Sequence, residues 1–180
     1  MQQAKPNPHT LNERFASGGF DALEEAVVLY EEKLLRYAAS ILAGTADAED
    51  IVQDVFITAY ENREAFDGQN LSAWLYKITY NRSVNHLKRR KRFVYREQVT
   101  PDMNPDITDG MSGRTRAALF KLKPADRALI HGRVMDERSY DDLASELGVS
   151  PAALRKRYER VKKKLAKLLS QKQDKGGHEK

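Results

Sequence analysis

Cysteine is missing altogether from the 180 residues, which excludes disulfides and thiolate-held metal. No apolar run approaches the roughly 20 residues that cross a bilayer, and the opening "MQQAKPNPHT" lacks the apolar core of a signal peptide. Period-two alternation is also lacking, so strands are not expected. There is no P-loop, no HExxH, and no Ser, His and acid set at supporting spacing. With four histidines and one tryptophan, little remains from which to build a catalytic or metal centre. His86 has no ligand partner at useful spacing and reads as a surface residue. These absences predict a cytoplasmic, soluble, all-α chain with no cofactor, no metal and no catalytic residues.

What is present is charge, unevenly spread. The net charge is +5 and the pI about 9.3. Residues 82–96 hold seven basic and no acidic side chains, and residues 151–167 hold eight basic against one acidic, Glu159. Residues 45–67 reverse this, with seven acidic groups and one basic. Two basic blocks around an acidic one imply more than one kind of partner.

Helical periodicity runs through "FDALEEAVVLYEEKLLRYAASIL", with Leu23, Val27, Tyr30, Leu34, Tyr37 and Ile41 on one stripe. It continues through "GTADAEDIVQDVFITAYENREAF", where Thr45 or Asp47 would be the N-cap. "DGQN" is a turn, and "LSAWLYKITYNRSVNHLKRRKR" follows as a helix with Ser72 as expected cap. "EQVTPDMNPDITDGMSG" has two prolines, two glycines, four acids and no base, the texture of an extended linker. Helical pattern resumes at Arg114 and lasts to about Leu169. The expected organisation is an N-terminal helical domain over 1–95, a flexible acidic linker over 96–113, a second helical domain over 114–172 and a disordered tail over 173–180. The relative placement of the two domains is left open.

"SYDDLASELGVSPAALRKRY" fits a helix-turn-helix. Ala144 is small where two helices approach, Gly148 suits a left-handed turn, Val149 and Leu154 should bury across the corner, and Ser150-Pro151 should start the second helix. A tight helical corner without a nucleic-acid role has the same signature. The basic groups Arg155, Lys156, Arg157 and Arg160, in and after the first turn, favour a recognition helix in a major groove.

In the N-terminal domain Ile51, Val52, Val55, Phe56, Ala59 and Tyr60 form a core face. Asp47, Asp50, Asp54, Thr58 and Glu61 share a different arc. Two readings stand for that acidic stripe: a solvated face favoured by the helix dipole, or a docking face for a basic protein. On the following helix Trp74, Lys77, Asn81, Asn85 and Lys88 share one arc. An aromatic plane, two amides and cations suit unpaired bases and their phosphates, while a lone Trp also suits a core.

"DAEDIVQDVF", "FDGQNLSAWLYKITYNRSVNHLKRRKR" and "RSYDDLASELGVSPAALRKRYERVKKKL", in this order across residues 15–170, together resemble an extracytoplasmic-function bacterial sigma factor of the sigma-70 family. The resemblance implies a promoter-specificity subunit of RNA polymerase. Asp47, Asp50, Gln53, Asp54 and Phe56 would dock on the β′ coiled coil of the core enzyme, and the C-terminal domain on the β flap. Asp67, Gly68, Gln69, Asn70, Leu71, Trp74, Lys77, Asn81 and Asn85 would read the minus-ten element, capturing a flipped base of the non-template single strand. Lys88, Arg89 and Arg90, with Lys91 and Arg92, would hold the backbone. Arg138, Ser139, Ala152, Ala153, Arg155, Lys156, Arg157 and Arg160 would read the duplex minus-thirty-five element. An anti-sigma factor is an implied further partner, and the acidic linker would thread toward the RNA exit channel.

The chain departs from the family at two places. Ala152 to Arg157 stands where a Gly-Thr-Val-Lys-Ser-Arg-like run is common, which puts the minus-thirty-five preference in doubt. Asp136-Glu137-Arg138 replaces a Gly-containing turn. An autonomous helix-turn-helix regulator explains residues 139–167 but leaves Trp74, Asn81, Asn85 and the acidic stripe without a role.

Overall fold

A computed structural model describes residues 8–42, 46–93 and 112–170. Eight α-helices are present among them: α1 (Pro8–Ala16), α2 (Phe20–Leu42), α3 (Ala46–Glu61), α4 (Leu71–Phe93), α5 (Gly113–Phe120), α6 (Pro124–Val134), α7 (Tyr140–Leu147) and α8 (Pro151–Ser170). A 3-10 turn, Arg63–Ala65, joins α3 to the loop before α4. Neither strand nor bridge occurs among the described residues. No helix there is long and apolar enough to cross a membrane. Most of the expected linker and all of the expected tail lie outside the described residues, as does Thr45. Ser112 and Gly113 are described, and they already begin α5: the Ser112 side chain accepts from Thr115 N.

Helices α1 to α4 enclose one core. Leu34, Tyr37 and Ile41 of the expected α2 stripe are buried, whereas Leu23, Val27 and Tyr30 are only half-buried. Ala22 and Ala26 take the innermost positions in the first half of α2. There α2 packs on α1 and α3, and a methyl side chain permits the closer approach of backbones. The α3 face is as expected, with Ile51, Val52, Val55, Phe56 and Ala59 buried. Tyr60 is half-buried and donates its hydroxyl to Gly18 O at 3.1 Å. Helix α1 was not anticipated from the sequence. Its signal is the i,i+4 pair Leu11 and Phe15, both 1% exposed.

Helices α5 to α8 form the second body, built on Leu129, Leu143, Ala144 and Leu154, with Leu122, Ile130 and Val161 as a second cluster. The helix-turn-helix forms by the expected local chemistry. The Ser139 hydroxyl accepts from Asp142 N at 3.1 Å and starts α7. Gly148 takes φ +66 and closes α7, and the Ser150 hydroxyl accepts from Ala153 N at 3.2 Å to start α8. Val149 is a correction: it is 37% exposed and lies on the rim of a groove with Lys123, Ala153 and Arg157. The left-handed turn carries it out of the corner, where Leu154 is fully buried with Leu143 and Ala144. In the turn before α7, Glu137 stands at φ +52, so the Asp136-Glu137-Arg138 turn holds a conformation that favours glycine.

The two bodies pack on each other along α2 with α6 and α4 with α7.

Candidate nucleic-acid interface

The loop ahead of α4 is built by short-range polar contacts. Asp67 Oδ1 accepts from Gln69 N at 3.0 Å, and Gly68 at φ +76 turns the chain. The N-cap of α4 is Asn70, not Ser72, because Asn70 Oδ1 reaches Ala73 N at 2.9 Å. Ser72 is the second residue of the helix. Asp67, Gln69 and Asn70 are exposed, while Leu71 is fully buried and anchors the loop.

Asn12 of α1 holds this loop from beneath. It is 7% exposed, donates to Gln69 O at 2.6 Å and accepts from Leu71 N at 3.3 Å. One amide thereby fixes both ends of the turn's backbone. Nothing in the sequence marks Asn12, since its partners lie 57 and 59 residues away.

Along α4, Lys77, Asn81, Asn85, Lys88 and Arg89 are exposed. The opposite face is buried through Leu75, Thr79 and Ser83, and Thr79 turns its hydroxyl back to Leu75 O at 2.8 Å. Trp74 stands between the two faces. Its ring stacks on Phe66 at 5.1 Å between centroids and meets Phe15 edge-on at 6.4 Å. Half-buried, it serves the core and still borders the loop. Lys91 and Arg92 have side chains outside the described set.

The acidic stripe of α3 is partly neutralised by α4. Asp47 lies inside the first turn of α3, not at its cap. It pairs with Arg90 at 3.0 Å and with His86 at 3.2 Å. His86 therefore has a partner that sequence spacing concealed. Asp54 pairs with Arg82 at 2.8 Å, and Arg82 also donates to Thr58. Asp50 and Gln53 are exposed, and Asp50 has no ion-pair partner among the described residues. Phe56 is 7% exposed, so it holds α3 in place from inside.

In the second body Ala152, Ala153, Arg155, Lys156 and Arg160 are exposed along α8. The Arg155 guanidinium lies 5.3 Å from the Tyr140 ring centroid, and Arg157 is drawn back to Asp126 at 2.7 Å. Lys156 and Arg160 thus present the least committed cations. Ser139 is exposed but committed to the α7 cap. The Arg138 side chain is 9% exposed and ion-pairs with Glu146, itself fully covered, at 2.6 Å. Burial raises the Glu146 carboxyl above the usual carboxylate range, against the pull of Arg138.

Each body thus presents exposed polar and basic groups: a capped loop leading into an amide-and-lysine helix in the first, and a helix-turn-helix with exposed cations on α8 in the second. Residues 27–93 match the family model for Sigma-70 region 2, and residues 112–165 that for Sigma-70 region 4. The ECF RNA polymerase sigma factor EcfG of Rhodopseudomonas palustris is 30% identical over 156 residues, covering 83% of this chain and 86% of that relative. The ECF RNA polymerase sigma factor SigW of Bacillus subtilis is 25% identical over 170 residues, covering 84% and 91%. The sigma factor RpoE of Bartonella quintana, solved in complex with the anti-sigma factor NepR, superimposes with a TM-score of 0.69. It is 26% identical, over 83% of this chain and 97% of that one. This chain belongs to the ECF family of RNA polymerase sigma factors.

Proposed function

We propose that the chain is a promoter-specificity subunit, acting in the cytoplasm without catalysis of its own. It joins core RNA polymerase, reads a minus-thirty-five and a minus-ten element, and helps open the duplex. The observation that carries this reading is the exposed row Lys77, Asn81, Asn85 and Lys88, which runs from the 67–71 loop along α4 within region 2. Amides there meet the edges of unstacked bases and the lysines meet phosphates, while the loop receives a flipped base. Melting costs a few kcal/mol per unstacked base, offset by contacts made only to the captured strand.

The α3 stripe docks on the β′ coiled coil, chiefly through Asp50 and Gln53, with Phe56 holding the helix. Region 4 docks on the β flap. Helix α8 enters the major groove, where Lys156 and Arg160 contact bases or phosphates and Arg155 approaches across Tyr140. Arg157 orients α8 through Asp126 and stays at the margin. An anti-sigma factor is a further partner of this chain, as NepR is of RpoE.

Replacing Asn81 with Ala tests the minus-ten role. Promoter opening, read as permanganate reactivity of minus-ten thymines, is expected to fall by one to two orders of magnitude, in keeping with a loss of ~1–3 kcal/mol per base contact. Polymerase affinity is expected to stay unchanged. Loss of polymerase binding instead would make Asn81 a core-docking residue.

A further inference from the structure

Helix α1 precedes the residues matched to region 2, which begin at 27, and none of its groups has a part in the promoter reading. Yet α1 is the floor of the loop ahead of α4. Asn12 is 7% exposed and turns both halves of its amide to that loop: Nδ2 donates to Gln69 O at 2.6 Å and Oδ1 accepts from Leu71 N at 3.3 Å. Phe15, three residues on and so on the same face of α1, is 1% exposed. Its ring lies edge-on to Phe66 at 6.3 Å and to Trp74 at 6.4 Å between centroids. Helix α1 thus touches the residue before the loop, the loop itself and the aromatic ring after it.

The loop is pinned from beneath and clear above. Leu71 N–H is one of the groups at the start of α4 that have no partner within the helix. The Asn70 cap serves Ala73 N, and Asn12 serves Leu71. Asp67 Oδ1 accepts from Gln69 N at 3.0 Å, so both backbone groups of Gln69 are tied down while its side chain is exposed. A Cβ set on Gly68 would meet no atom beyond its chain neighbours within 4 Å, which leaves the outer side of the turn open. A primary amide can donate to a carbonyl through one atom and accept from an N–H through the other. An apolar side chain at position 12 would leave both backbone groups unpaired away from water.

We infer that α1 belongs to the minus-ten reader and that Asn12 is its positioning residue: Asn12 holds the 67–71 loop in its base-receiving shape before any DNA is bound, through contacts that touch no base. A loop ordered in advance loses less conformational freedom on binding, so the base that enters it is held more tightly. Phe15 acts likewise on Trp74, whose ring it holds beside the loop together with Phe66. Selectivity at the captured base therefore depends on a buried amide outside the matched region. The link to a captured base rests on the promoter-specificity reading, whereas the fixing of the loop does not.

Two measurements on the full-length chain separate these parts. Amide exchange followed by nuclear magnetic resonance reads the loop without DNA. In Asn12→Ala the Leu71 amide is expected to speed up roughly tenfold more than the Val55 amide of the core, as local loss of its acceptor requires. Leu71 and Val55 changing by one factor would make Asn12 a general stabiliser of the fold and overturn the inference. The second measurement uses holoenzyme made with core polymerase and a non-template single strand from a mapped promoter, intact or with one abasic site. In wild type an abasic site at the captured base is expected to weaken binding about tenfold or more. In Asn12→Ala the intact strand is expected to bind roughly tenfold more weakly, with the same abasic site adding less than about threefold, a coupling that general destabilisation does not produce. Equal abasic penalties in the two proteins overturn the positioning role. Should Asn12→Ala fail to fold, Asn12→Asp, which keeps the acceptor for Leu71 N and loses the donor to Gln69 O, must still reduce the abasic penalty. Should no abasic site weaken binding to wild type, the promoter-specificity reading falls, and the link to a base with it, whatever the exchange result.

Discussion

Glycines aside, Glu137 is the one residue with a positive φ among the described residues. An L side chain at φ +52 costs roughly 1–2 kcal/mol relative to an ordinary backbone conformation. Glu137→Gly is therefore expected to stabilise the chain by about 1 kcal/mol, read as a higher urea midpoint with unchanged slope. A loss of stability would show that the Glu137 side chain makes a compensating contact. The turn matters because it delivers Arg138 to Glu146 and Ser139 to the cap of α7. Asn12 has a comparable role in the first body, where one buried amide sets the backbone of the 67–71 loop.

At the scale of single helices, α3 and α4 act as a pair. Of the three aspartates on the stripe, Asp47 and Asp54 are tied to α4 by Arg90 and Arg82, and Asp50 stands clear. Charge reversal is thus expected to separate two effects. Asp50→Lys should weaken core polymerase binding at least tenfold in a titration at low salt, since it places a cation against a basic partner, while thermal stability barely changes. Asp54→Lys should lower both, because it also sets a lysine against Arg82. Equal polymerase affinity for Asp50→Lys and wild type would leave the stripe a solvated face.

Much of this was legible in the sequence. Apolar period located α2 to α4, and period together with capping residues located the helix-turn-helix, because helix signals are local. The arc of Lys77, Asn81, Asn85 and Lys88 emerged exposed for the same reason. The Asn70 cap was missed because Asn70 and Ser72 both suit the role, and geometry decides between them. Asn12, the His86–Asp47 contact and the burial of Arg138 were not legible. Their partners are distant along the chain or lie across the seam, where periodicity carries no information.

Considered whole, the described molecule is two helical bodies, of region 2 and of region 4, packed on each other across a polar seam. Its polar contacts are the Tyr37 and Tyr76 hydroxyls on Glu146 and Asp136, beside the Arg138–Glu146 pair, and Arg127 on the end of α2. The most direct test of the central claim is transcription by core RNA polymerase supplied with the purified full-length chain, with start sites mapped across a genomic DNA library. The account predicts discrete starts that share a pair of upstream elements and depend on the added chain. Specific retention of duplex fragments by the chain alone, with no start that depends on it, would contradict the account and assign the protein to autonomous DNA binding.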